Sequence, residues 1–333
     1  MSSALLLLGS FSTIILLNKR RKQHLQKKKK QINNNVKKKK NQPEEYPVYS
    51  IGTVRSCFRE CRGTPRQGLY APSTRGKIIL KKQIPSSSLD GLENFSHAWI
   101  LFIFHMNTNF HLTKRAHTDK SYNFRPKIKP PKLKGKSIGL FATRTPHRPN
   151  AVGITLAKIE SISLKERAVY ISALDLADGT PVVDIKPYVT PYDSVPSAIT
   201  PSWCGEDINL QRANVKIAEE QKKIIYQAAS EGKLRHYNNG DDICKTIIEL
   251  LSTDIRPLTS YTTNRKKTKK KTCRFRFDML RVGFMVVTEE SNDESNNPST
   301  TNCIIVNEII VETERDERDM LKGKKQRYPT TNK

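Results

Sequence analysis

Gly139-Leu140-Phe141-Ala142-Thr143-Arg144-Thr145-Pro146-His147-Arg148-Pro149-Asn150-Ala151-Val152-Gly153 sets two arginines, a histidine and an X-Pro-Asn turn between two apolar segments of strand length. Pro146 and Pro149 fix their own φ and push Thr145 and Arg148 into extended geometry. The connection is therefore stiff, and Arg144, His147 and Arg148 lose little freedom when they bind something. Two guanidiniums on such a turn suit an anionic ligand. A surface turn with solvated arginines is the plainer alternative, and the choice between them depends on the rest of the chain.

Working outward, the flanks Ser137 to Ala142 and Gly153 to Ile162 read as strands, and so do Val48 to Val54, Lys77 to Leu80, Ala98 to Phe104, Ala168 to Ala173 and Val182 to Ile185. Gly, Pro and Asn separate these runs, and no long helical pattern lies between them. That argues against a βαβ wind, and no GxGxxG turn follows a strand. Closing many short strands into one barrel would remove exposed edges. Beyond Pro201, Asn214 to Ser230 and Asp242 to Leu251 carry apolar spacing that suits helices. Arg274 to Val287 and Cys303 to Val311 read as two strands joined by the polar loop Glu289 to Asn302.

The chain has 333 residues and a formal net charge of +27, unevenly placed. Lys19 to Lys40 alone holds twelve Lys and Arg and no acid. Such a tract cannot bury apolar surface and is expected to stay disordered. A second block, Arg265-Lys266-Lys267-Thr268-Lys269-Lys270-Lys271, lies between segments that read as structured, which makes it a basic loop. Runs of this kind attract phosphate backbones without sequence preference, solvated lysine being the alternative.

Ala4 to Leu17 is largely apolar and is followed at once by Lys19, Arg20, Arg21 and Lys22. It falls just short of the ~20 residues of a spanning helix, though flanking lysines can snorkel. No basic region precedes it and no obvious cleavage site follows, which counts against a secreted signal peptide. The basic flank predicts a cytosolic remainder. The organisation expected is a candidate transmembrane anchor at 1–18, a disordered Lys-rich linker at 19–46, a barrel at 47–200, an α+β appendage at 201–315 and a tail at 316–333.

Cys57, Cys61, Cys204, Cys244, Cys273 and Cys303 form no close CxxC pair. Cys57 and Cys61 lack a second pair, so no metal site is expected, and reduced thiols in a cytosol-facing domain fit better than disulfides. No GxSxG elbow or HExxH helix is present, so nothing marks a hydrolase.

Four motifs remain: Pro65-Arg66-Gln67, Phe95-Ser96-His97-Ala98-Trp99-Ile100-Leu101-Phe102-Ile103-Phe104-His105, the Gly139 to Gly153 run, and Asp178-Gly179-Thr180-Pro181-Val182-Val183-Asp184-Ile185-Lys186-Pro187-Tyr188. In this order and spacing they closely resemble the TrmO family, also called TsaA-like or YaeB. That family methylates N6 of threonylcarbamoyladenosine at position 37 of tRNA with S-adenosylmethionine. The likeness is dense from Tyr49 to Asp193 and continues through Asp254-Ile255-Arg256-Pro257, where Ile255 departs from the family's Asp-Pro-Arg-Pro.

The resemblance implies a mainly β fold, a single-sheet TsaA-like barrel carrying the small α+β appendage behind the disordered basic tail. It also implies an S-adenosylmethionine pocket built from Pro65, Arg66, Gln67, His105, Met106, Arg144, Ile154, Leu176, Ala177, Asp178, Gly179, Thr180 and Pro181. His105, His147 and Asp184 are the candidate general bases, in that order. Arg148 and Asn150 suit the threonyl carboxylate and base edge of an unstacked anticodon-loop nucleotide, with Asp254 and Arg256 as further substrate contacts. No metal is implied. A tRNA anticodon loop is the expected partner, and a homodimer and membrane contact through the N-terminal segment stay open. Two other readings also remain: a methyltransferase of the same fold acting on another RNA or a small molecule, and a noncatalytic basic RNA-binding protein.

Overall fold

Period-two alternation along six short strands decides which side chains enter the barrel. The protein is seen in a computed structural model that describes residues 47–106, 124–130, 135–205, 214–252, 273–292 and 298–314, together with 23, 25–29, 133 and 316. The staves are β1 (Gly52–Ser56), β2 (Arg75–Leu80), β3 (His97–Ile103), β6 (Val152–Ser163), β7 (Ala168–Ser172) and β8 (Pro181–Pro187). They close in the order β1-β2-β7-β6-β3-β8, each neighbour antiparallel. On β3, Ala98, Ile100 and Phe102 point inward and meet Val54, Ile78, Ala157, Val169, Ile171 and Val182 in one buried core. Burying each large aliphatic side chain contributes ~1.5–3 kcal/mol, which offsets the ordering of these short strands.

An antiparallel closed order has a consequence for function. β1, β3 and β7 run in one direction, so the connections that follow them leave the barrel at the same rim. Those connections carry Pro65-Arg66-Gln67, the Arg144 to Asn150 turn and Asp178-Gly179.

A second core lies under a four-stranded sheet, β10 (Cys273–Phe277), β11 (Leu280–Asn292), β12 (Pro298–Val311) and β9 (Asn214–Ile217), packed with α1 (Glu219–Ser230) and α2 (Gly240–Ser252). Cys57, Phe58 and Ala71 from the β1–β2 connection belong to this core, with the Phe58 and Phe277 ring centroids 5.7 Å apart. The two parts are also joined by a buried ion pair, Arg59 Nη1 to Glu312 Oε2 at 2.7 Å. Arg276 and Arg281 contact the same carboxylate at 2.9 and 2.7 Å. Residues 49–333 accordingly form one compact unit.

Several elements depart from the sequence expectation. The first strand begins at Gly52 rather than Val48. Of Ser137 to Ala142 only β5 (Ile138–Gly139) is extended; it pairs with β4 (Lys127–Ile128) outside the barrel, and Leu140–Ala142 turns into a 3₁₀ segment that buries Leu140. Asn214 to Ile217 is a strand parallel to β12, and the helix starts at Glu219, where Glu219 and Glu220 favour the positive helix end. Arg274 to Val287 is a hairpin rather than one strand, because Asp278 turns the chain at φ 50°. Much of the expected Glu289 to Asn302 loop is strand, with Thr288 paired to Asn302 and Asn292 to Pro298.

In the separate N-terminal unit, residues 23 and 25–29 are helical and exposed, although composition predicted no regular structure in the linker. Leu, Gln and Lys are good helix formers, so this local departure is unsurprising. Ala4 to Leu17, the Arg265 to Lys271 block, Asp254 and Arg256 lie outside the described residues. Among the described residues no helix is long and apolar enough to cross a membrane.

Candidate active site

Four chain segments meet at the barrel rim around a cavity of about 330 Å³. The β1–β2 connection contributes Cys61, Thr64, Pro65 and Arg66, and the end of β3 contributes Phe102 to Met106. Pro146 and His147 come from the turn before β6, and Asp175, Leu176, Ala177 and Thr180 from the β7–β8 connection. The size is within the ~300–1,000 Å³ usual for small-molecule sites, as is a mainly apolar wall with a few polar groups.

Local geometry explains why these loops converge. Gly68 packs so tightly on the β7–β8 connection that a Cβ there would meet Ala173 O at 1.7 Å. Thr74 reinforces the same junction, its hydroxyl accepting from Leu174 N at 2.6 Å. At the mouth, Gly153 opposes Phe102, and an added Cβ would come within 2.3 Å of the ring. The Phe102 side chain therefore fills the barrel top, with Phe104 edge-on at 4.8 Å.

The 139–153 turn is held from both sides. Arg144 Nη1 donates to Gln67 Oε1 at 2.9 Å, which links the turn to the Pro65-Arg66-Gln67 loop. Arg148 Nη1 donates to Thr143 O at 2.8 Å, and its guanidinium lies 5.2 Å from the Phe141 ring centroid. Part of Arg148 is thus used to shape the turn. His147 and Asn150 are exposed, with His147 on the cavity wall.

His105 lines the cavity beside the Asp178-Gly179 turn, since a Cβ on Gly179 would sit 3.8 Å from His105 Nε2. Burial lowers the imidazole pKa below its usual value, and the Asp178 charge opposes that only in part. His105 is therefore neutral at pH 7.

Asp178 is turned into the fold: its Oδ1 accepts from Ser56 N at 3.0 Å and its Oδ2 from Arg55 Nη1 at 3.2 Å. Gly179, at φ 82°, makes the turn that permits this. Asp184 lies away from the cavity. A β-bulge shifts the β3–β8 register between Leu101 and Phe102, Ile185 packs on the barrel core, and Asp184 pairs with Lys186 at 2.7 Å on the outer face. Ile154 also faces outward and is 47% exposed, while Pro181 starts β8 beyond the lining residues.

Among the wall residues that the sequence reading did not name, Asp175 bears most on the chemistry. Asp175 lies between Leu174 and Leu176, and its Oδ1 is sealed from solvent with no hydrogen-bond partner among the described residues. Burial pushes its carboxyl up to about 6, against the pull of the Thr155 hydroxyl, the Arg144 charge and the Gly68 amide. Cys57 is buried in the second core, whereas Cys61 lies exposed at the cavity with Sγ 3.4 Å from Met106 Sδ, so these two cysteines do not form a metal pair.

Comparison with known proteins agrees with this geometry. The sequence model of the tRNA-methyltransferase O N-terminal domain matches residues 53–194. A mouse tRNA (adenine(37)-N6)-methyltransferase is 48% identical over 147 residues, 43% of this chain and 31% of the relative. The Escherichia coli protein of the same name is 37% identical over 179 residues, 53% of this chain and 71% of the relative. Against the mammalian relatives the chain therefore spans about a third of their length. A crystal structure of TrmO from Pseudomonas aeruginosa superposes with a TM-score of 0.55 at 27% identity, covering 80% of this chain and all of that one. With the barrel, the converging motifs and these relatives in agreement, the chain belongs to the tRNA-methyltransferase O (TrmO) family.

Proposed function

We propose that the protein methylates N6 of threonylcarbamoyladenosine at position 37 of tRNA, using S-adenosylmethionine as donor. One observation carries this reading: four motifs far apart in sequence converge on one mainly apolar cavity of about 330 Å³. A basic RNA-binding surface alone would not need such a cavity. The residues fit the donor. Pro65, Arg66, His105, Met106, Leu176, Ala177 and Thr180 offer apolar walls, backbone and hydroxyl groups around it, and Gln67 and Arg144 are joined at its edge.

S-Adenosylmethionine supplies an electrophilic methyl group, so the protein's work is to orient the acceptor, exclude water and take up a proton. His105, neutral and beside the cavity, is the foremost candidate to accept the N6 proton, and His147 follows from the exposed wall. The threonylcarbamoyl group makes N6 part of a urea and its proton more acidic. It also brings a carboxylate that suits Arg148 and Asn150 at the rim. Asp254 and Arg256 are retained as substrate contacts. The Arg265 to Lys271 block is assigned to tRNA phosphates.

The two cores support a division into a barrel at 47–200 and an appendage at 201–315. A homodimer is favoured by the outer face of β3 and β6, where Trp99 pairs with Leu156 and Leu101 with Ile154. Ala4 to Leu17 is proposed as a membrane anchor, with the barrel on the cytosolic side.

The decisive experiment incubates purified protein and S-adenosylmethionine with tRNA carrying or lacking threonylcarbamoyladenosine, followed by mass spectrometry of the nucleosides. A methyl mass increment on the modified nucleoside alone is expected. Equal methylation of unmodified adenosine removes the substrate assignment, and no methylation of either tRNA removes the enzymatic one.

A further inference from the structure

We propose that Asp175 is the residue by which the cavity tells a positively charged donor from its neutral product. The inference rests on the reading of this cavity as the S-adenosylmethionine pocket. It names which feature of the ligand the pocket recognises.

Among the described residues that line the cavity, Asp175 is the single acid. The neighbouring acid of the same connection, Asp178, has both oxygens engaged by Ser56 N and Arg55. Asp175 instead keeps Oδ1 sealed and without a partner among the described residues. An ionised carboxylate held this way in an apolar wall costs folding free energy, and a charge of opposite sign offsets that cost. Arg144 does so only in part, because its Nη1 is bonded to Gln67. A cation in the cavity can supply the rest, since Coulomb attraction in a low-dielectric wall acts across several ångströms without direct contact. The rings of Phe102 and Phe104 line the same cavity, and aromatic faces also favour a cation.

The methylated donor is a sulfonium, while the demethylated product is a neutral thioether; their amino, carboxylate, ribose and adenine groups are identical. A fixed negative charge in the wall therefore favours donor over product, and the preference disappears when that charge is neutralised. Burial brings the Asp175 carboxyl up to about 6, so the residue is ionised at pH 7.5 and mostly neutral at pH 5.5. The groups facing Asp175 are the Thr155 hydroxyl, the Gly68 amide and the Arg144 guanidinium. Arg66, His105, His147 and Cys61 lie on the same cavity. His105 gains charge on acidification and would also weaken cation binding, so the Asp175 share is the part that an Asp175→Asn chain lacks.

The test is calorimetric binding of S-adenosylmethionine and S-adenosylhomocysteine to the full chain at pH 7.5 and 5.5. The unaltered protein is expected to prefer the sulfonium about tenfold at pH 7.5, worth ~1.4 kcal/mol, and to lose most of that preference at pH 5.5. Asp175→Asn should bind both ligands alike at pH 7.5, with thioether affinity within about twofold of the unaltered protein, while Asp175→Glu keeps the preference. If a variant fails to fold, the unaltered chain still decides against the idea should its sulfonium preference stay the same at pH 5.5. A sulfonium preference unchanged in Asp175→Asn, or equal loss of both ligands, overturns the inference. If the unaltered chain binds neither ligand, the donor-pocket reading falls and this inference with it.

Discussion

Arg144 Nη1 and Gln67 Oε1 are 2.9 Å apart although 77 positions separate the two residues in sequence. This bond joins the two loops that bring Pro65 and His147 to the cavity wall. Arg144 is exposed and packs in neither core. Arg144→Ala should therefore leave the unfolding free energy within ~0.5 kcal/mol of the parent. Methyl transfer should fall ~100-fold or more, as expected when a loop that positions ligand is released. Chemical denaturation and single-turnover assays on modified tRNA check both halves, and normal turnover in this variant would remove the proposed role.

Gly68 offers a sharper test of the same junction. A methyl group there must displace the Ala173 carbonyl, which it would otherwise meet at 1.7 Å, so Gly68→Ala should push the Pro65-Arg66-Gln67 loop off the β7–β8 connection. Overpacking of this kind costs ~1–3 kcal/mol. S-Adenosylmethionine affinity should drop at least tenfold as the cavity opens, which titration calorimetry would detect. The control is Gly139→Ala, where no heavy atom lies within 4 Å of the added Cβ and little should change.

Much of the barrel was legible because its staves are apolar runs of strand length bounded by Gly, Pro and Asn: Ala98 to Phe104 reads as one such run, and the strand is found at His97 to Ile103. Legibility failed where local signals conflict with tertiary partners. Val215 and Ile217 fit a helical stripe with Ile224 and Ala228, yet β12 takes Asn214 to Ile217 as a parallel neighbour, a pairing with a residue nearly ninety positions away. Asp184 looked like a pocket acid until a bulge, invisible in composition, turned it outward to Lys186. Asp175 was missed for the opposite reason. Between Leu174 and Leu176 it reads as an unremarkable turn acid, and only the packing of Gly68 and Thr155 around it reveals a buried charge.

Glu312 holds the appendage to the barrel. Its side chain is 1% exposed and meets Arg59, Arg276 and Arg281. Burial alone would raise its carboxyl, but hydrogen bonds from Arg276 and Arg281 and the Arg276 and Arg59 charges hold it below the usual value. A depressed acid contributes stability above its unfolded pKa and loses it as pH falls through the folded value, so this contribution should decline below about pH 4.5. Glu312→Gln should cost ~3–5 kcal/mol at pH 7, because several guanidiniums lose their counter-charge. Urea unfolding at pH 7 and pH 3.5 checks this, and the penalty should shrink at the lower pH.

Asp175 should show the reverse dependence. Its folded carboxyl lies at about 6 against an ordinary value of 3.8, so the native state binds the proton more tightly than the unfolded chain. The stability it contributes is full below the unfolded value and is lost as pH rises through about 6. At neutral pH the ionised carboxylate is then a net burden on the fold, on the order of 2–3 kcal/mol at ~1.4 kcal/mol per pH unit. Asp175→Asn removes the charge while keeping the shape, and should raise the urea midpoint at pH 7.5. The gain should fade toward pH 4, where the native carboxyl is protonated. Natural sequences tolerate such a burden where function uses it, and a stabilised variant that no longer prefers the sulfonium would join the energetic cost to the recognition. An Asp175→Asn chain less stable than its parent at pH 7.5 would show instead that Asp175 is held by partners it needs for folding.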